Sequence, residues 1–368
     1  MNCRILFIAL IVVSLFASLA IAQDSTNSDS NVFGGYEVRS GLEVGVRGID
    51  IDGSLSKFRS DLNYRNGVRL FDSSFSMKNT TGHRRFIDQL TVNASGWGAD
   101  RTGYASVNAE SAGLYRFTGN IRRVAYFSDL NNHALGQHDF NTNRDLGDFD
   151  LSVFPIADKL RLNFGASFDL SKGPGTWNAR AYRDDFVVRA NNKTNSYDFR
   201  IGAEAKVLGF NLGITQGYRR FRERSQYILD APTIGNNTTD TTQYFTFIRQ
   251  FPITGTSYFT AFNAQRTFAK RVDFTARIIY SDTKTTSSIL EEITGRDNNN
   301  NWVDLDRFEI SGDASRPQAR GDLGLTVNVT DNFRISNTFS FDRFGIDGGE
   351  YLFEQLYRRN ASGTTLTP

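Results

Sequence analysis

The chain has 368 residues, 42 basic and 40 acidic, with a formal net charge of +2 and both signs interleaved along its length. That balance excludes the clustered basic stripe of a nucleic-acid binder. Its 31 Phe, 14 Tyr and 32 Gly against 6 Pro and 2 Met make a β-rich composition, and the lone Cys3 removes thiol nucleophiles, cysteine zinc sites and C-x-x-C-H haem attachment from the chain's own chemistry.

The N-terminus carries Arg4, an apolar run from Ile5 to Ala20, and Ala20-Ile21-Ala22 ahead of Gln23. This pattern predicts a signal peptide over residues 1–22, hence export, with no cysteine placed for lipid anchoring. Export without disulfides in a chain of this length points to a Gram-negative bacterium. A polar leader follows at 23–32, then alternating segments over 33–344, and 345–368 reads as a loop or the truncated remainder of the same domain.

In the first third, strands are predicted near 36–48, 54–65, 68–78, 85–97, 103–111 and 113–124, with Asn66-Gly67 as a hairpin turn between the second and third. The alternation of up and down strands fails by one within this group. Eight more strands fit between residues 147 and 344, paired through short turns near 156, 208, 270 and 331. The polar stretches 172–195, 219–254 and 283–318 read as long loops at the opposite end, with 180–190 and 243–251 as parts of those loops or as strand extensions above the membrane, and only 287–293 and 351–357 hint at helix. The clearest strand is "DKLRLNFGASFDLS" (158–171), in which every even position from Leu160 to Leu170 is apolar and every odd one polar or glycine. Predicted strands of about 10–13 residues exceed the globular mode of about 5–6 and match the about 9–11 of a tilted membrane strand. After the signal no apolar run is long enough for a membrane helix, so entry into a bilayer requires a closed barrel. The predicted fold is therefore all-β: a transmembrane antiparallel up-and-down β-barrel of about 14 or more strands, with short periplasmic turns and long extracellular loops.

Parity then assigns faces. The lipid-facing set is Leu160, Leu162, Phe164, Phe168, Phe199, Ile201, Phe274, Ile278, Leu323, Leu325, Phe339 and Phe341. The lumen-lining set is Arg59, Asp61, Arg116, Arg122, Arg161, Asn163, Asp169, Arg200, Glu204, Lys206, Asp273, Arg277, Arg334 and Asp342. Charges of both signs sharing an interior imply a wet lumen, because unpaired buried charge is costly. Aromatic residues near strand ends, among them Tyr104, Tyr115, Tyr197, Tyr218, Tyr258, Phe268, Tyr280, Phe333 and Phe344, suit interfacial girdles.

Reactive constellations are weak. His133 and His138 with Asp139 are loosely spaced for a metal, and His83 stands apart. Asp297, Asp304 and Asp306 lie among asparagines but lack the pattern of a calcium loop, and adjacent Asp184 and Asp185 cannot flank a glycosidic bond. No nucleophile elbow, phosphate-binding loop or dinucleotide fingerprint occurs, so neither an enzyme nor a cofactor or metal site in this chain is expected. The run "GYRRFRERSQY" (217–227) reads as a salt-bridged rim, with a polyanion or lipopolysaccharide contact as the alternative.

The run "DFDLSVFPIADKLRLNFGASFDLSKGPGTW", followed by "YRDDF" and "GAEAKVLGFNLGITQGYRRFR", resembles the MtrB/PioB type of outer-membrane barrel over roughly residues 147–344. The resemblance implies an outer-membrane location and a sheath around a multihaem c-type cytochrome that passes electrons across the membrane, with all haem held by that partner. Members are often longer, and some carry a C-x-x-C near the mature N-terminus that this chain lacks. The competing expectations are a diffusion porin for small solutes without a cytochrome, and a soluble exported β-sandwich or surface adhesin.

Overall fold

The computed structural model describes residues 31–129, 138–156, 159–239, 241–269 and 271–366. The signal peptide, most of the leader, His133 and the centres of the predicted turns near 156 and 270 lie outside these residues. Most described residues belong to one antiparallel sheet in which each of the first fourteen strands lies beside its sequence neighbour and the fifteenth joins the thirteenth.

The strands run in chain order: β1 (Asn31–Phe33), β2 (Tyr36–Arg47), β3 (Gly67–Asn79), β4 (Gln89–Gly98), β5 (Gly103–Ser111), β6 (Tyr115–Ser128), β7 (Phe140–Ile156) and β8 (Leu160–Ala181). They continue as β9 (Asp184–Val207), β10 (Phe210–Ile228), β11 (Gln243–Phe268), β12 (Val272–Arg296), β13 (Trp302–Thr330), β14 (Phe333–Phe344), β15 (Asp347–Arg359) and β16 (Thr365–Leu366). β14 and β15 both pair with β13: Gln318 faces Phe344 and Ser315 faces Asp347, the same register carried across a break. They are one strand interrupted at Gly345–Ile346, where the Gly345 N–H donates to the Pro317 carbonyl at 3.1 Å. Among the described residues no ladder joins β1 and β2 to β14–β16, so the sheet is open, with β2 and β14–β15 as its long edges.

All connections at one end of the sheet are short except the Asn79–Asp88 link, and these include the two-residue turns at 34–35, 208–209 and 331–332. The opposite end carries the longer connections 48–66, 129–139 and 229–242, though 182–183 is a tight turn there too. Much of the polar sequence expected as loops is instead strand, since β8–β9 and β12–β13 keep pairing up to Ala181–Asp184 and Arg296–Trp302. Backbone pairing needs no apolar side chains. Once Thr, Asn, Ser and Val alternate on both strands, the ladder simply continues past the apolar band.

One predicted strand is a helix. Residues 55–61 form α1 (Leu55–Asp61): the Ser54 hydroxyl caps it by accepting from the Lys57 N–H at 3.3 Å, and Lys57 pairs with Asp61 at 2.7 Å one turn on. This accounts for the one-strand failure in the first third. It also takes Arg59 and Asp61 off any sheet face. Arg59 lies in the 48–66 connection, its guanidinium 3.9 Å from the Phe127 ring centre, where burial and neighbouring Arg65 lower its pKa. Both helical hints are strand: 287–293 lies in β12 and 351–357 in β15.

The composition has a structural use. Several sheet glycines sit directly opposite an aromatic ring that lies over them, as in Gly147 with Phe168, Gly217 with Phe259, Gly255 with Phe221 and Gly321 with Phe341. A Cβ on Gly217 would come within 1.9 Å of the Phe259 ring. Rings covering bare backbone restore the packing a glycine forfeits, which links the abundance of Phe to that of Gly.

Candidate functional site

Register carries one apolar face across the whole sheet. Phe164 faces Leu151 on β7 and Ile201 on β9; Ile201 faces Gln216; Phe262 stands between Ile214 and Ile278; Leu323 stands between Ala276 and Phe339. All twelve residues of the predicted lipid-facing set lie on this face. Among the described residues no second layer covers it, and Phe199, Ile201, Ile214 and Phe339 are each more than half exposed. Of the aromatic residues assigned to girdles, Tyr197, Tyr218, Tyr258 and Tyr280 share it, whereas Tyr104 and Phe344 fall on the opposite face, paired with Arg122 and Gln318.

The opposite face gathers the other twelve predicted residues that lie in strands: Arg116, Arg122, Arg161, Asn163, Asp169, Arg200, Glu204, Lys206, Asp273, Arg277, Arg334 and Asp342. Arg116, Arg161, Asp169, Arg200 and Glu204 are in ion pairs. Arg200 reaches Asp148 and Asp150 at 3.3 Å each and Asp198 at 3.9 Å, and Asp198 also takes the Arg219 guanidinium at 3.0 Å. Asn163 donates to Glu204 at 2.9 Å, and Arg144 forks onto Asp169. Asn120, Arg122, Asp148, Asp169, Asp198 and Arg219 line a concavity of about 470 Å³ on this face. It holds cations and carboxylates in near balance, which suits water and polar solutes better than one class of ion.

At the end with the longer connections, the same face turns apolar and closes over. Phe186, Val188, Tyr244, Phe247 and Ile293 are almost fully buried, with Phe186 stacked on Tyr244 at 3.8 Å. The Tyr244 hydroxyl donates to the Ala181 carbonyl at 2.5 Å, and Asp184 accepts from the Asn237 N–H at 3.0 Å, so the 229–242 connection is pinned against the β8–β9 hairpin. Gly235 (φ +78°) is required there, because a Cβ would lie 2.0 Å from the Asp184 carboxylate. Tyr182 at the hairpin tip donates to Asp306 on β13 at 2.7 Å, so the sheet curls toward its charged face. Burial and the Asp306 carboxylate raise the Tyr182 phenol's pKa above the ordinary tyrosine value. The sequence does not show this cap, because Phe186, Val188 and Phe247 occur in segments that fit loops or strand extensions equally and nothing local marks them as covered.

The remaining candidates are dispersed. His138 makes an edge contact with Trp177 at 5.6 Å. Asp297 accepts from the Asn299 and Asn301 N–H groups, Asp304 is forked by Arg359, and Asp306 serves Tyr182. Asp184 accepts from backbone while Asp185 lies 3.9 Å from Arg180. Among the described residues no three His, Cys, Asp or Glu side chains are grouped to hold a metal ion.

No family model, no curated protein and no solved structure matches this chain.

Proposed function

We propose that this chain forms the wall of an outer-membrane β-barrel pore, its apolar face in lipid and its charged face toward a water-filled or protein-filled lumen. The observation that carries the reading is the uncovered apolar face. It is continuous across every long strand, and a soluble sandwich would lay a second sheet over it. Its depth agrees: on β8 it runs from Leu160 to Leu170, eleven residues, against about 9–11 for a tilted membrane strand. In this reading the transport is passive and the strand extensions beyond the band stand outside the membrane.

Within this class, the resemblance to MtrB/PioB-type barrels favours a sheath for a multihaem c-type cytochrome. The described residues contain no cysteine, so haem would be attached to the partner alone. A diffusion porin is the second reading, favoured by the cap of Phe186, Tyr244 and Phe247, which fills part of the charged face at the end with the longer connections. Conductance of the reconstituted chain in planar bilayers, with and without a co-expressed multihaem cytochrome, separates them. A steady open conductance from the chain alone supports the porin; conductance blocked by a co-purifying cytochrome supports the sheath. A chain released from cells by osmotic shock without detergent refutes both.

A further inference from the structure

The basic run at 217–227 divides by parity, and the division exposes a second site. Arg219 points to the charged face and pairs with Asp198. Arg220, Arg222 and Arg224 take the apolar face, where Arg220 faces Tyr197, Arg222 faces Asn195 and Arg224 faces Lys193. Lys193 in turn faces Lys172 on β8. Five exposed cations thus occupy three adjacent strands, and Lys172, Lys193 and Arg224 stand in one row. Like charges directly opposite each other on a sheet are destabilising unless a counter-charge bridges them. Among the described residues none of the five has a carboxylate within 4.0 Å; no Asp or Glu shares this face with them on β8 to β11 from Phe168 to Lys172 and its ladder partners, and Asp145 on β7, opposite Leu170, is already paired with Arg123 at 2.6 Å.

Their height selects the counter-charge. Arg220 comes two residues beyond the outward Tyr218, Lys172 two beyond Leu170, and Lys193 four before Tyr197 on its oppositely directed strand. At about 3.3 Å per residue and a tilt of about 45°, those steps rise roughly 5–9 Å above the apolar band, the depth of a leaflet's headgroups; Arg222 and Arg224, four and six residues beyond Tyr218, stand roughly 9 and 14 Å above it and reach back toward the headgroups with their long side chains.

We infer that Lys172, Lys193, Arg220, Arg222 and Arg224 form a binding site for the phosphate groups of anionic lipid in the leaflet nearest the longer connections. The site rests on the membrane reading above. Its partner is a lipid rather than a soluble anion because the cations continue the lipid-facing surface and lie just past its aromatic edge.

The test uses the full chain reconstituted in phosphatidylcholine vesicles that contain either spin-labelled phosphatidylglycerol or spin-labelled phosphatidylcholine. Electron spin resonance then reports the protein-bound fraction of each label. The expected result is a preference for the anionic label of about fivefold, the effect of one well-placed cation, lost at high salt. Substituting all five cations with glutamine should abolish it, while Lys172→Arg with Lys193→Arg should keep it. Equal preference in the glutamine variant, or none in the inserted wild type, overturns the site and leaves the barrel standing. Displacement of the label by inorganic phosphate at matched concentration would instead identify a free-phosphate site and overturn the lipid assignment. A chain that fails to float with either vesicle refutes the membrane reading and the site with it.

Discussion

Phe164→Arg is the substitution that decides what the apolar face touches. Phe164 stands between Leu151 and Ile201, four residues from one end of the β8 apolar run and six from the other. At about 3.3 Å per residue and a tilt of about 45°, it lies roughly 9 Å and 14 Å from the two edges, near the middle of a band of about 25 Å. An arginine at that depth costs about 2–4 kcal/mol, or roughly 30- to 900-fold in the folded-to-unfolded ratio. If the face met water instead, the same change at a side chain 40% exposed would stay within about 0.5 kcal/mol. Leu160→Arg, at the band's edge, should cost about 0–1 kcal/mol. Asn163→Arg should be tolerated, because the Glu204 carboxylate 2.9 Å from Asn163 can receive the new guanidinium. The assay is urea-dependent folding into vesicles, read by the electrophoretic mobility of unheated samples. Equal midpoints for Phe164→Arg and Asn163→Arg would refute the face assignment.

Three further outcomes are expected. Gly217→Ala should destabilise by about 1–3 kcal/mol through overlap with the Phe259 ring, and Gly217→Ala with Phe259→Ala should cost less than the sum of the singles in a double-mutant cycle; additivity would refute the covering role. Arg200→Gln removes the cation shared by Asp148, Asp150 and Asp198, so the reversal potential of reconstituted channels should shift toward cation selectivity; an unchanged value would place these residues off the conducting path. Because the Tyr182 phenol is held above its unfolded value, its contribution is complete below about pH 10 and is lost as pH rises beyond it. Proteolysis at residues 181–184 should therefore accelerate above that pH in the wild type and show no such step in Tyr182→Phe.

What the sequence made legible follows from periodicity. Strict alternation with a two-residue repeat survives any uncertainty in strand ends, so all twenty-four face assignments within strands fall on two consistent faces. The failures lie where alternation is ambiguous. "SLSKFRSD" (54–61) offers Leu55, Lys57, Arg59 and Asp61 to a strand, but also a serine cap and a lysine–aspartate pair one turn apart, and local capping prevails. "SSILEEI" resembles a helix turn in isolation, yet each of its residues has a ladder partner on β13. The cap around Tyr244 was hidden for a different reason: Phe186 and Val188 alternate correctly, but whether the face they occupy is wet or buried depends on a connection that folds back from residues 229–242.

The miscounted strand also bears on how the wall could close. Twelve strands from β2 to β13, plus the joined β14–β15, make thirteen long strands. β2 starts at the end where Tyr36 faces Asn79 and rises to Arg47; β14–β15 starts at the same end at Phe333 and rises to Arg359. The two open edges therefore run in the same direction, and pairing them directly would make a parallel seam in an otherwise antiparallel sheet. Antiparallel closure needs one more strand descending between them from the end with the longer connections. β16 takes that direction where Leu366 faces Arg358 and Thr365 faces Arg359. In lipid neither edge can stay bare, because each unpaired backbone group there costs several kcal/mol. In the membrane reading, the sense of the edges sets the seam: an antiparallel seam takes an odd number of strands between β2 and β14–β15, and a parallel seam takes none.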